Sequence, residues 1–293
     1  MLAYTVGSSV AWYGIRKTPF ERQLFEFGLT RAEIVVCLIW LGASIFFLLL
    51  WVCERRPPWT LKRETWIVSL SALLLLSIFW LYGRTRSFEL WFGYRPPSGG
   101  LSGLKPYFFF VACSVLARLI LPLIVGWLVV GKTPKMYGYK LEGAFKLWWL
   151  YLCLVLLVLP FVFYAGSLPS FVRKYPFCRR AIADGALYLD VFLIYAAAAL
   201  AFFWSGEAFW RGYMLLGMER DLGHSAIFFM LMAYVLGHLG KPLPETLGAV
   251  LAGLVLGGLA LYHRSFILGA LAHWGIAMTM DLVAIWRRGV AIL

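Results

Sequence analysis

Residues 186–220 read ALYLDVFLIYAAAALAFFWSGEAFWRGYMLLGMER. Ala186–Trp204 is apolar but for Asp190. Its length approaches the roughly 20 residues a helix needs to cross the hydrocarbon core of a bilayer. No alternation of polar and apolar residues suggests a strand, and in lipid a lone strand could not satisfy its backbone. The helix is read as continuing through Arg211 to Arg220. Just past the apolar run stand Glu207 and Arg211, four residues apart and so on one helical face. In such surroundings a carboxylate and a guanidinium either neutralise each other for structure or mark a working site inside a membrane.

Seven other runs resemble this one: Ile34–Cys53, Trp66–Gly83, Tyr107–Gly131, Leu147–Gly166, His224–Gly240, Pro244–His263 and Ser265–Trp286. With 62% hydrophobic and 14% charged residues among 293, the chain reads as an all-α, polytopic membrane protein of about eight spans. An even number of spans puts both termini on one side, and the alternate Lys and Arg sums slightly favour that side as cytoplasmic.

The formal net charge of +13 raises nucleic acid as a partner. The basic residues, however, cluster in short loops such as ERRPPWTLKRE (54–64) and RKYPFCRR (173–180). That placement suits interfacial anchoring and anionic lipid, and no nucleic-acid module is present. The five cysteines lack metal-type spacing, and four lie in or beside apolar spans, where a free thiol acts as a small hydrophobe. In MLAYTVGSSVAWYGIRK the basic residues follow the apolar stretch, the reverse of a cleaved signal peptide.

Polar residues also divide the chain. Up to about residue 183 they lie mostly in loops, apart from Arg118 near the middle of the third span. Beyond that, Asp190, Glu207, Arg211, His238, Glu245, His273 and Asp281 enter or border the spans. Ionisable groups at membrane depth are costly and by default indicate function. The expectation is therefore a mainly structural half, 1–183, and a core, 184–293, that carries the polar site.

Within that core, Lys241 and Glu245 are expected to pair at the start of a helix opened by Pro244. Ala249, Gly253 and Gly257 form a small-residue ridge that lets helices approach closely. Glu207, His238 and His273 sit on three different spans and could converge. Two histidines and a carboxylate suit a divalent metal such as zinc with an open position for water. They equally suit metal-free hydrolysis, with general-base and oxyanion roles divided among them. Either way the chemistry is attack of water on an acyl group. Asp190 and Asp281 would also permit a transporter, but neither inverted repeats nor paired broken helices are visible.

The order GEAFWRG (206–212), YVLGHLGKPLPE (234–245) and SFILGALAHWGIA (265–277) resembles the CAAX protease and bacteriocin-processing family, intramembrane endopeptidases also called CPBP or Abi. The resemblance covers roughly 185–285 and extends loosely to YKLEGAFKLWWLYL (139–152). The family pattern is two adjacent glutamates with an arginine four residues after the second, then Phe-x-x-x-His, then His-x-x-x-Asn. Matched residue by residue, Glu207 is the second glutamate, Arg211 the arginine, and His238 and His273 the two histidines. Gly206, Tyr234 and Ala277 stand where the first glutamate, the phenylalanine and the asparagine are expected. Glu207 cannot simply replace the missing carboxylate, because adjacent helical residues point about 100° apart. Losing one oxyanion donor alone costs on the order of 10² to 10³ in rate.

The resemblance implies a multi-pass protein of a bacterial plasma membrane, acting on a membrane-associated or lipidated peptide. Glu207, His238 and His273 would be catalytic, with Arg211, Glu245 and Asp281 in support and Asp281 as a substitute acceptor for the missing asparagine. The alternative is a catalytically inactive subunit or scaffold of the same fold within a membrane protein complex. Retained Glu207, Arg211, His238 and His273 favour the enzyme; Gly206 and Ala277 favour the scaffold.

Overall fold

The computed structural model describes residues 1–15, 30–95 and 99–293; Arg16 and Lys17, the basic residues of the N-terminal reading, lie outside them. In chain order the helices are α1 (Leu2–Ile15), α2 (Arg31–Glu54), α3 (Arg63–Tyr82), α4 (Thr85–Trp91), α5 (Gly100–Val129), α6 (Trp148–Ala165), α7 (Pro169–Lys174), α8 (Leu189–Leu222), α9 (Ser225–Leu236), α10 (Leu243–His263) and α11 (Ile267–Arg287). Strand β1 (Ala186–Leu187) precedes α8, and β2 (Ala291–Ile292) follows α11. They pair in parallel, Ala186 opposite Ala291 and Leu187 opposite Ile292.

Among the described residues seven helices are long and apolar enough to cross a membrane: α2, α3, α5, α6, α8, α10 and α11. Large apolar side chains remain outside, among them Leu157 and Phe161 on α6 and Leu251 on α10. In water such a surface would aggregate; in lipid it is matched by acyl chains. The chain is an integral, multi-pass membrane protein.

Two features depart from the expected eight spans. The sixth, His224–Gly240, condenses to the twelve-residue α9, whose residues from Phe229 to Leu236 are all buried. A helix that is apolar all round belongs inside a bundle. And α1, too short to stand out as a span, packs against α2, α9 and α10.

Local chemistry sets the ends. Thr30 and Glu33 form a reciprocal capping box at the start of α2. Asp221, near the end of α8, accepts from Arg56, the Lys62 N–H and the Thr65 hydroxyl, tying the 55–65 loop to that helix. The small-residue ridge of α10 lies against α9: a β-carbon on Gly253 would come 2.4 Å from Leu231 Cδ1 and 3.2 Å from the Tyr234 ring. α8 does run on from the apolar segment past Arg211, as the sequence suggests, but residues 208–216 are wound as a π-helix. Residues 116–120 of α5, which include Arg118, are π-helical too. Such widened turns occur often at functional sites.

Candidate functional site

The deepest polar cluster is centred on Glu207, which is 1% exposed. Its Oε1 accepts from Arg211 Nη1 at 2.7 Å and from His273 Nδ1 at 2.8 Å. The Arg211 guanidinium carbon lies 4.4 Å from the centre of the Tyr234 ring. Tyrosine at the expected phenylalanine position therefore keeps an aromatic face for the arginine. Glu207 Oε2 is buried without a hydrogen-bond partner, on the side of Gly269 in α11.

His238 follows α9 on the turn leading to α10. Its Nδ1 lies 2.9 Å from the Tyr234 carbonyl oxygen. A carbonyl or a carboxylate can only accept, so His238 and His273 each carry their proton on Nδ1 when these bonds form. That leaves Nε2 of both rings as the nitrogen with a free lone pair.

Glu207, His238 and His273 all line one cavity of about 310 Å³. The three sequence-predicted residues are therefore brought together, and Arg211 is bonded to the first of them. Glu245 and Asp281 are not. Glu245 pairs with Lys241 at 2.7 Å, as expected, and accepts from the Tyr175 hydroxyl. Asp281 accepts from the Phe177 N–H at 3.0 Å and from the Tyr195 hydroxyl. Its Oδ1 thus ties the 175–178 segment to α11, and its Oδ2 ties α11 to α8. Ala277 itself packs against an apolar cluster that contains Tyr195 and Phe203.

An open zinc site needs three protein donors on one ion. Among the described residues no three His, Cys, Asp or Glu side chains are so placed. The set Glu207, His238 and His273 therefore does not fit a three-ligand metal centre.

The same cavity holds groups that sequence reasoning did not gather. Arg118, 7% exposed, arrives from α5, in the half expected to be structural. Its Nε donates to Ser114 Oγ at 2.8 Å and its Nη2 to the Phe202 carbonyl at 3.2 Å. Nη1 faces Gly206: a β-carbon there would lie 3.3 Å away. The place where the family pattern has a glutamate thus has an arginine beside it. Around the rest of the cavity stand Arg84, Lys174, Arg179, Arg180 and Lys241. Lys174 is pushed down to about 8 by burial first, then by the positive charges of Lys241 and Arg84. The lone intraspan Arg118 and the RKYPFCRR loop were the available signals, but nothing in the sequence joins them.

Residues 188–279 match the family model described as Type II CAAX prenyl endopeptidase Rce1-like. No curated protein and no solved structure matches the chain. The matched segment runs from the start of α8 to just past the middle of α11 and contains Glu207, Arg211, His238 and His273. Over this segment, about a third of its length, the chain is similar to the Rce1-like type II CAAX prenyl endopeptidases.

Proposed function

We propose that the chain is an intramembrane endopeptidase that hydrolyses a membrane-associated or lipidated peptide without a metal, in a bacterial plasma membrane. The observation that carries this reading is the convergence of Glu207, His238 and His273 on one cavity, with Glu207 bonded to His273 Nδ1. Glu207 acts as a positioning residue: its carboxylate, held by Arg211, fixes the ring orientation of His273. His238 Nε2 takes a proton from water as that water attacks the scissile carbonyl and hands the same proton to the leaving amine, while His273, when protonated against the Glu207 carboxylate, donates from Nε2 to the developing oxyanion. With Gly206 in place of a carboxylate, the base is an imidazole.

The test is cleavage of a prenylated peptide library by the full chain in liposomes. His238→Ala and His273→Ala should each lower the rate about 10²- to 10⁴-fold while the melting temperature stays within a few degrees of the parent. A wild-type chain that cleaves nothing, together with a double variant that still supports the cellular role, would sink the proposal. That result would establish the second reading, a catalytically inactive membrane subunit, which Gly206 and Ala277 favour.

A further inference from the structure

Six cations line the cavity beside a single carboxylate, Glu207, which Arg211 and His273 already neutralise. Arg180 pairs with Glu89 and Lys241 with Glu245. Arg84, Arg118, Lys174 and Arg179 have no carboxylate partner among the described residues. Uncompensated charge facing a partly desolvated cavity is costly. Interfacial lysines and arginines usually relieve that cost by reaching into water or headgroups. Arg118 cannot, because it is 93% buried within a span, as its 7% exposure implies. Its guanidinium lies over the Phe202 and Phe79 rings and two of its nitrogens are held by Ser114 and Phe202, while Nη1, at the cavity wall beside Gly206, makes no hydrogen bond among the described residues.

We propose that this cavity is a binding site for a phosphate ester group, with Arg118 Nη1 as the deepest contact and Arg84, Lys174 and Arg179 around it. The number of donors decides between anions. A carboxylate offers two oxygens and one charge, whereas a phosphate offers three or four oxygens that guanidinium and ammonium groups can share. The inference does not depend on peptide hydrolysis, since Arg118 takes no part in the chemistry proposed above.

Lys174 provides the readout. The groups facing it are Lys241, Arg84 and Arg179, which lower its proton affinity, and Glu245, which raises it. An anion bound beside it favours the charged amine, so binding is tightest below about pH 8. Affinity then weakens by up to tenfold per unit as pH rises above that value. A phosphodiester keeps its charge constant across this range, so the trend reports the protein.

The experiment uses the full chain in phosphatidylcholine nanodiscs, in three arms: no addition, added phosphatidylglycerol, and added inorganic phosphate. Protection of Lys174 from an amine-acylating reagent is read by peptide mass spectrometry. We expect protection by phosphatidylglycerol if the ester is a lipid headgroup, and by inorganic phosphate if it is soluble. Arg118→Gln should weaken that protection at least tenfold, with Arg118→Lys between it and the parent. Binding of a phosphodiester probe (phosphatidylglycerol, or dimethyl phosphate where the soluble arm is the effective one) to Lys174→Gln, followed by tryptophan fluorescence, should lose its dependence on pH between 7 and 9. If Arg118→Gln fails to fold, Lys174→Gln decides alone. Absence of protection in both phosphate arms would overturn the proposal. So would Arg118→Gln and Lys174→Gln binding like the parent.

Discussion

A β-carbon at position 206 would stand 3.3 Å from a guanidinium nitrogen that makes no hydrogen bond among the described residues. Gly206 and Arg118 are therefore best understood as a pair. A glutamate there would meet the arginine directly, and in a low-dielectric setting the two would neutralise each other. Gly206→Glu is accordingly expected to lower phosphate protection of Lys174 at least tenfold, as Arg118→Gln does, without loss of thermal stability. Unchanged protection would show that Arg118 is not the deepest contact. At this scale the sequence was informative where partners are neighbours along a helix: the i, i+4 spacing of Glu207 and Arg211 gave their 2.7 Å ion pair directly. It was silent where partners meet across helices. Arg118 and Gly206 lie 88 positions apart, and no local pattern links them. The expected convergence of Glu207 with His273 came from family order, not from spacing.

Helix α10 shows how a legible pattern can still leave its partner unnamed. The ridge of Ala249, Gly253 and Gly257 signals a close helical neighbour, and the structure supplies α9. Gly253→Leu would drive its side chain into Leu231 and the Tyr234 ring. We expect a loss of about 1–3 kcal/mol from overpacking, seen as a lower melting temperature. The control Gly248→Leu, at a position where a β-carbon meets nothing within 4 Å, should leave stability near the parent value. Equal melting of the two variants would refute the ridge. The π-helical stretches at 116–120 and 208–216 escaped sequence reading for a physical reason. In lipid the apolar surface runs all round a helix, so a widened turn leaves no break in periodicity to detect. The same uniformity hid α1, whose fourteen residues fall below the length of a span.

For the molecule as a whole, composition settled the solvent, and the apolar runs located seven long helices within a few residues. The division into a structural half and a functional half was less apt, because α5 carries Arg118 into the cavity. The small parallel pair of β1 and β2 has a topological consequence for this architecture. It holds residues 186–187 beside 291–292, so the chain between them is a closed circuit and must pass through the bilayer an even number of times. α8, α10 and α11 supply three passages. The fourth falls to α9, whose twelve residues rise only about 18 Å against a hydrocarbon core of about 30 Å. The remaining depth must be covered by 237–242, and unwound backbone is tolerated there only when it is buried in protein or lines a cavity. Gly237, His238, Leu239 and Lys241 do line one. In a cysteine-free background, His224→Cys and Arg287→Cys should therefore react with an impermeant thiol reagent from opposite faces of the membrane; labelling from the same face would break the circuit argument. A helix that stops short is thus what sets a histidine on a turn within the bilayer, its N–H given to Val235 and its carbonyl shared by Lys241 and Thr246 instead of the next helical turn.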